Sequence, residues 1–177
     1  MSVSKFVVAV LAMSVSATAL AASSHGEGHG HGEKIGELGK ASQISRTITI
    51  DMYDNYYEPE KIEVALGETV RFIVNNKGIL VHEFNIGTSA MHEAHQEEMM
   101  MMVQHGVIQG GKLNHDMMEM DMGNGHSMKH DDPNSVLLEA GKSGEIIWKF
   151  SAKSSLEFAC NVPGHYQAGM HGELKFN

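Results

Sequence analysis

The chain has 177 residues, 42% of them hydrophobic and 20% charged, enough for one globular domain of ordinary size. Thirteen Lys and Arg against 22 Asp and Glu leave a net charge of −9 with histidine neutral, which argues against a polyanion such as nucleic acid as partner. Fourteen Met and 12 His beside a single Cys and a single Trp are abnormal counts, and they point to soft-metal chemistry.

Residues 1–21 read as a secretory signal: Lys5 opens it, Phe6 to Val15 form an apolar run, and Ala19-Leu20-Ala21 fits the small-x-small cleavage rule. No later run of 18 apolar residues follows, so no membrane span is expected in the mature chain. Export implies an oxidising compartment, where a lone thiol such as Cys160 is incidental, used to dimerise, or held as a thiolate by a metal.

Residues 22–44 are rich in Gly, Ser and His and predict a flexible His-rich arm, with His25, His29 and His31 as weak metal collectors. From Ser45 the pattern changes to short alternating apolar runs over Thr47–Ile50, Lys61–Val64 and Thr69–Val74. Asn75 to Gly78 reads as a turn, and Ile79 to Ile86 resumes extended character. Val136–Glu139, Glu145–Phe150, Leu156–Ala159 and Gly172–Phe176 repeat the theme, with Ala140 to Gly144 as a turn. Seven or eight short strands with regular turn signals predict an all-β sandwich spanning residues 45–177.

Residues 88–134 break the pattern. These 47 residues hold ten of the 14 Met, more than twice an even share, and six of the 12 His. The segment reads as an insertion between two strands, partly helical: Ser89 to His105 predicts a helix with Ser89 as N-cap and Gly106 ending it, and Gly110 to Pro133 reads as irregular.

The strongest chemical signal is Cys160-x4-His165-x4-Met170 on one short loop between two predicted strands, with His82 at the end of another strand. Two His and one Cys with a weak axial Met are the ligand set of mononuclear electron-transfer copper. The thiolate bonds copper covalently, imidazoles suit both oxidation states, and the thioether favours Cu(I). Pro163 and Gly164 shape the turn that brings His165 back towards Cys160.

The segment Asn55 to Asn76, then His82, then the Cys160 to Met170 loop, resembles the cupredoxin family over roughly residues 45–87 and 135–177. The His-rich arm and Met-rich insertion resemble, more narrowly, the CopI-type periplasmic copper-tolerance cupredoxins. The resemblance implies a cupredoxin-like Greek-key β-sandwich carrying a Met/His-rich, partly helical insertion. It implies one type 1 copper centre with His82, Cys160, His165 and Met170 as ligands. It departs at one position: many cupredoxins carry Asn after the first His, tying two loops together, whereas here Glu83 follows His82.

On a helix over 89–105, Met91, His92, His95, Met99 and Met102 fall on one arc of about 100°. Such a stripe is either a set of accessory copper ligands or the apolar face of the helix packed on the sandwich. Met117, Met118, Met120, Met122, His126, Met128 and His130 are interleaved with acids and glycine and read as accessory copper ligands. The residues therefore suggest a copper-binding redox protein of the periplasm rather than an enzyme, with oxidation of Cu(I) left open. Two functions compete: copper tolerance, in which excess copper is bound and handled by oxidation state, and soluble electron transfer between periplasmic partners. A multicopper oxidase or nitrite reductase needs further copper sites shared between two such domains. The expected partners are copper ions and a redox or copper-transfer protein.

Overall fold

A computed structural model describes residues 34–120 and 128–177. The elements run β1 (Glu37–Leu38), β2 (Arg46–Met52), β3 (Tyr57–Glu58), β4 (Lys61–Val64), β5 (Thr69–Asn76), β6 (His82–Gly87), α1 (Ser89–Gln104), β7 (Ile108–Gln109), β8 (Lys112–Leu113), α2 (His115–Met118), β9 (Ser135–Leu138), β10 (Ser143–Lys149), β11 (Leu156–Ala159) and β12 (His171–Phe176). Two five-stranded sheets, ordered β1-β10-β5-β2-β3 and β4-β12-β11-β6-β9, form the sandwich expected from the alternating runs. The pairs β2–β5 and β4–β12 are parallel and the other described pairs antiparallel.

Alternation makes the core. In β4 and β10 every second side chain turns inward, as a strand with one wetted face requires. Tyr57, Phe72, Phe84, Phe150 and Phe158 meet between the sheets, with Tyr57 and Phe158 edge to face at 5.1 Å.

One strand breaks the alternation. All six residues of β6 are buried. Phe84 and Ile86 belong to the core between the sheets, while α1 covers the outer face, where a Cβ on Gly87 would stand 3.3 Å from the His92 ring. Glu83 and Asn85 on that outer face are consequently buried polar groups.

Several boundaries differ from the sequence expectation. Asn75 and Asn76 extend β5, and the bend falls later, because Asn76 turns inward: its Nδ2–H donates to the carbonyls of Leu80 and Leu138, and its Oδ1 accepts from the Gly78 N–H. Residues 79–81 are therefore not strand, with a bend at 78–80. Thr88, not Ser89, caps α1, its Oγ1 accepting from the Met91 N–H at 3.4 Å, and Gly106 ends the helix with φ +72°. Gly110 to Pro133 is not wholly irregular. Gly110, at φ +61°, turns a small β7–β8 hairpin, and Asn114 caps the short α2.

The flexible arm expected over 22–44 is docked in its second half. Ile35 lies buried with its carbonyl accepting from Trp148 Nε1–H, and β1 pairs with β10. The apolar Ile35 and Leu38 were too isolated among Gly and Lys to signal an edge strand. Residues 1–21, with the expected signal, and His25, His29, His31, Met122 and His126 lie outside the described residues.

Candidate metal centre

Strands β6 and β11 pair antiparallel, Asn85 opposite Ala159, so the start of β6 and the end of β11 reach the same end of the sandwich. His82 opens β6 and Cys160 follows β11. The loop from Cys160 closes on itself: the Cys160 N–H donates to the Met170 carbonyl at 3.1 Å, and the Met170 N–H to the His165 carbonyl at 3.0 Å. Gly164 and Gly169 supply its left-handed turns, at φ +88° and +98°.

Three side chains meet there. His82 Nδ1 and His165 Nδ1 are 3.2 Å apart, and Cys160 Sγ lies 3.9 Å from the first and 3.3 Å from the second. The point equidistant from these atoms lies about 2.0 Å from each, close to metal–imidazole and metal–thiolate bond lengths, so the three donors are spaced to hold one metal ion. Met170, fully buried, belongs to the same core cluster as Cys160.

The surroundings prepare these groups for a cation. Asp54 Oδ1 takes the other nitrogen of His82, Nε2, at 3.0 Å, which fixes the ring with Nδ1 inward. Gly78 lies against this pair: a Cβ there would collide with Asp54 Oδ1 and stand 2.7 Å from His82 Nε2. Burial lowers the pKa of His82 against the pull of Asp54, and burial together with His82 lowers His165 to about 4. Both imidazoles are thus neutral with lone pairs free. Burial pushes the Cys160 thiol up to about 12, so the thiolate needs a cation to form.

Glu83 surrounds this centre from behind. Its N–H points at Cys160 Sγ at 3.3 Å, and its carbonyl accepts from the Tyr57 hydroxyl at 2.6 Å. Its Oε2 accepts from the Asn161 N–H at 3.1 Å and Asn161 Nδ2–H at 2.9 Å. A carboxylate here ties β6 to the cysteine loop. Burial opposes its charge, but hydrogen bonds from His130 and His95 hold its pKa well below the usual carboxylate value.

The Met and His residues read as accessory ligands separate by position. Met99 and Met102 are fully buried in the core cluster, with Met91, Met117, Met118 and Met128 packed against it. Of the two readings of the helical stripe, the packing of Met99 and Met102 fits the apolar face. Met120 is exposed. His92, buried, lies with Nδ1 3.2 Å from Asn161 Nδ2, and burial lowers its pKa. His95 and His130 converge on Glu83. Sequence reasoning missed Asp54, Asn161 and the burial of the Glu83 side chain beneath α1. Only the replacement of Asn by Glu after His82 hinted at the last.

Residues 45–177 match the family of copper-binding proteins described as plastocyanin/azurin. The chain is 50% identical over 148 residues to the copper-resistant cuproprotein CopI of Pseudomonas aeruginosa, covering 80% of this chain and 82% of that one. It is 39% identical over 140 residues to the protein of the same name from Rubrivivax gelatinosus, covering 78% and 71% respectively. Among solved structures, reduced auracyanin from Roseiflexus castenholzii superposes with a TM-score of 0.52 at 23% identity, covering 76% of this chain and 98% of that one. Auracyanin B gives 0.54 at 19% identity, covering 80% and 96%. These two share the fold.

Proposed function

The chain belongs to the plastocyanin/azurin family of copper-binding proteins, and from that premise we propose that it is a periplasmic copper-tolerance protein with one type 1 centre at His82, Cys160, His165 and Met170. The convergence of two neutral imidazole nitrogens and a buried thiol around one point carries this reading. A copper ion held there supplies a one-electron couple. The residues hold their positions while charge changes: His82 is braced by Asp54, Cys160 by the Glu83 N–H, and His165 by its loop hydrogen bonds. Burial keeps water from the thiol.

Tolerance is favoured over simple electron transfer by two supports. The CopI relatives are named for copper resistance and align over most of their length. The segment between β6 and β9 adds thioether and imidazole groups beyond the four that one redox centre needs, among them exposed Met120. In this reading copper is cargo as well as cofactor, and the arm histidines His25, His29 and His31 collect it. The carrier reading retains one support, the close donor triangle held by hydrogen bonds with His165 at its partly exposed edge, which suits electron exchange.

A copper titration of the protein tests the two together, with metal per chain and the visible spectrum followed in one sample. Thiolate-to-copper absorption that saturates at one equivalent, followed by further equivalents, supports tolerance. Saturation at one with nothing beyond favours the carrier, and no such absorption overturns the centre itself. Excising residues 91–130 is a poor complement, because α1 buries Glu83 and Asn85 on the outer face of β6.

A further inference from the structure

On the outer face of β6, away from the cysteine, the geometry points to a second metal site, built from Glu83 Oε1, His95 Nε2 and His130 Nε2, that takes a divalent borderline cation with copper(II) foremost. The three atoms form a near-equilateral triangle: His95 to Glu83 3.0 Å, His130 to Glu83 2.9 Å, and His95 to His130 3.2 Å. The side chains are 11%, 1% and 0% exposed for His95, His130 and Glu83.

Hydrogen bonding alone serves this triangle badly. Glu83 Oε1 already accepts from the Ser135 hydroxyl at 2.6 Å and from Asn85 Nδ2–H at 3.1 Å. With those two donors in place, two imidazole nitrogens still crowd the same oxygen, an arrangement that a shared cation held by the three groups would explain. The imidazole nitrogens also face each other, where two N–H groups would repel. Two lone pairs converging on one cation relieve both conflicts.

The dimensions fit such an ion. The centre of the triangle is about 1.8 Å from each donor, so a metal with bonds of about 2.0–2.1 Å sits about 1 Å out of their plane. Three donors then form one face of a tetrahedron or octahedron and leave outer positions open. Two imidazoles and a carboxylate, with no thiolate, suit copper(II) or zinc(II), and the Irving–Williams order puts copper(II) first. His95 is also braced as metal-bound histidines are, its Nδ1 lying 3.2 Å from Glu98 Oε2.

The origin of the site is topological. Glu83 comes from the sandwich, His95 from α1 and His130 from the chain just before β9, so the segment inserted between β6 and β9 completes it. The site does not depend on copper at Cys160, although Glu83 touches both.

The test uses the full chain, with its first copper(II) equivalent loaded so that the thiolate absorption is saturated. Further copper(II) is then added and followed by electron paramagnetic resonance and a chelator competition. The expected result is that one of the further equivalents has two nitrogen ligands and brings no gain in thiolate absorption. Losing either imidazole, in His95→Ala or His130→Ala, weakens that equivalent at least as much as the ~10–100-fold that loss of an outer partner costs. His105→Ala, on the exposed end of α1, leaves it unchanged. Should either alanine variant fail to fold, judged by loss of the thiolate absorption, His95→Gln and His130→Gln keep the side-chain bulk and must give the same loss. Equal affinities and stoichiometries in wild type and folded variants overturn the site. Absence of the thiolate absorption in wild type would instead overturn the Cys160 centre, leaving this one to be judged on its own signal.

Discussion

The backbone N–H of Glu83 points at Cys160 Sγ from 3.3 Å, while the carboxylate of the same residue is locked to Asn161, the residue after that cysteine. Two adjacent residues of β6 thus face opposite ways with complementary roles. His82 turns its Nδ1 to the sulfur. Glu83 turns outward, holds the cysteine loop with Oε2, and presents Oε1 to His95 and His130. An uncharged amide at this position could tie the loop but would offer an outward metal no charge. The Glu in place of Asn is therefore a change of chemistry: α1 buries the carboxylate, and His95 of α1 with His130 before β9 make that burial tolerable by pairing with it.

Replacing Cys160 by Ser removes the sulfur and should abolish the thiolate-to-copper absorption completely. The sandwich should persist, because serine is close in size and the core aromatics are untouched. Visible spectroscopy and circular dichroism of the copper-treated variant check both halves, and retained absorption would refute the assignment of Cys160.

Asp54 is hydrogen-bonded to the centre through His82 Nε2. Its side chain is 39% exposed, so Asp54→Ala should change stability little. Released from Asp54, the ring is free to turn its Nδ1 away, and copper affinity should fall roughly 10–100-fold. Competition with a chelator of known affinity measures this. An unchanged affinity would show that loop packing orients His82 without help.

Met99 separates packing from ligation. It is fully buried, so Met99→Ala should cost about 2–5 kcal/mol of stability while leaving total copper bound per chain unchanged. Denaturant unfolding and metal analysis decide. Loss of one copper equivalent from a folded variant would restore Met99 to the ligands.

The sandwich and the Cys160 loop were legible because their signals are local. Strand alternation, turn glycines and the Cys-x4-His-x4-Met spacing each lie within a few residues of chain, and a rigid two-sheet frame places them. His82, at the end of another predicted strand, completed the ligand set that the loop began, and the resemblance to the cupredoxin family implied the same four residues. The docking of Ile35 on Trp148 was not legible, since one buried side chain and two ladder residues leave no periodicity. The Glu83–His95–His130 triangle was beyond reach for another reason. Its members are separated by 12 and 35 residues in the chain, and a helical stripe containing His95 is read equally well as an apolar face. Only the packing of α1 against an already buried strand distinguishes the two, placing Met99 and Met102 in the core and His95 on the carboxylate.

The same triangle predicts how pH acts on the metal-free protein. Burial alone would lower the pKa of His95, but Glu83 and Glu98 raise it from 6.5 to about 10. A base whose folded pKa is raised stabilises fully below its unfolded value, and that contribution disappears as pH climbs through the folded one. Glu83, held below its ordinary 4.5, contributes above that pH and loses its contribution as pH falls. Their shared contribution is therefore complete only between about pH 4.5 and 6.5 and declines towards pH 10. Meanwhile His165, held at about 4, costs stability as pH falls below 6.5, so wild type alone would blur the window. The difference between wild type and His95→Ala cancels that background. With chelator present, thermal unfolding should show the variant weaker by roughly 1–3 kcal/mol near pH 6, and by much less at pH 10. A difference constant across that range would mean that His95 stabilises by packing and carries no charge in the metal-free fold.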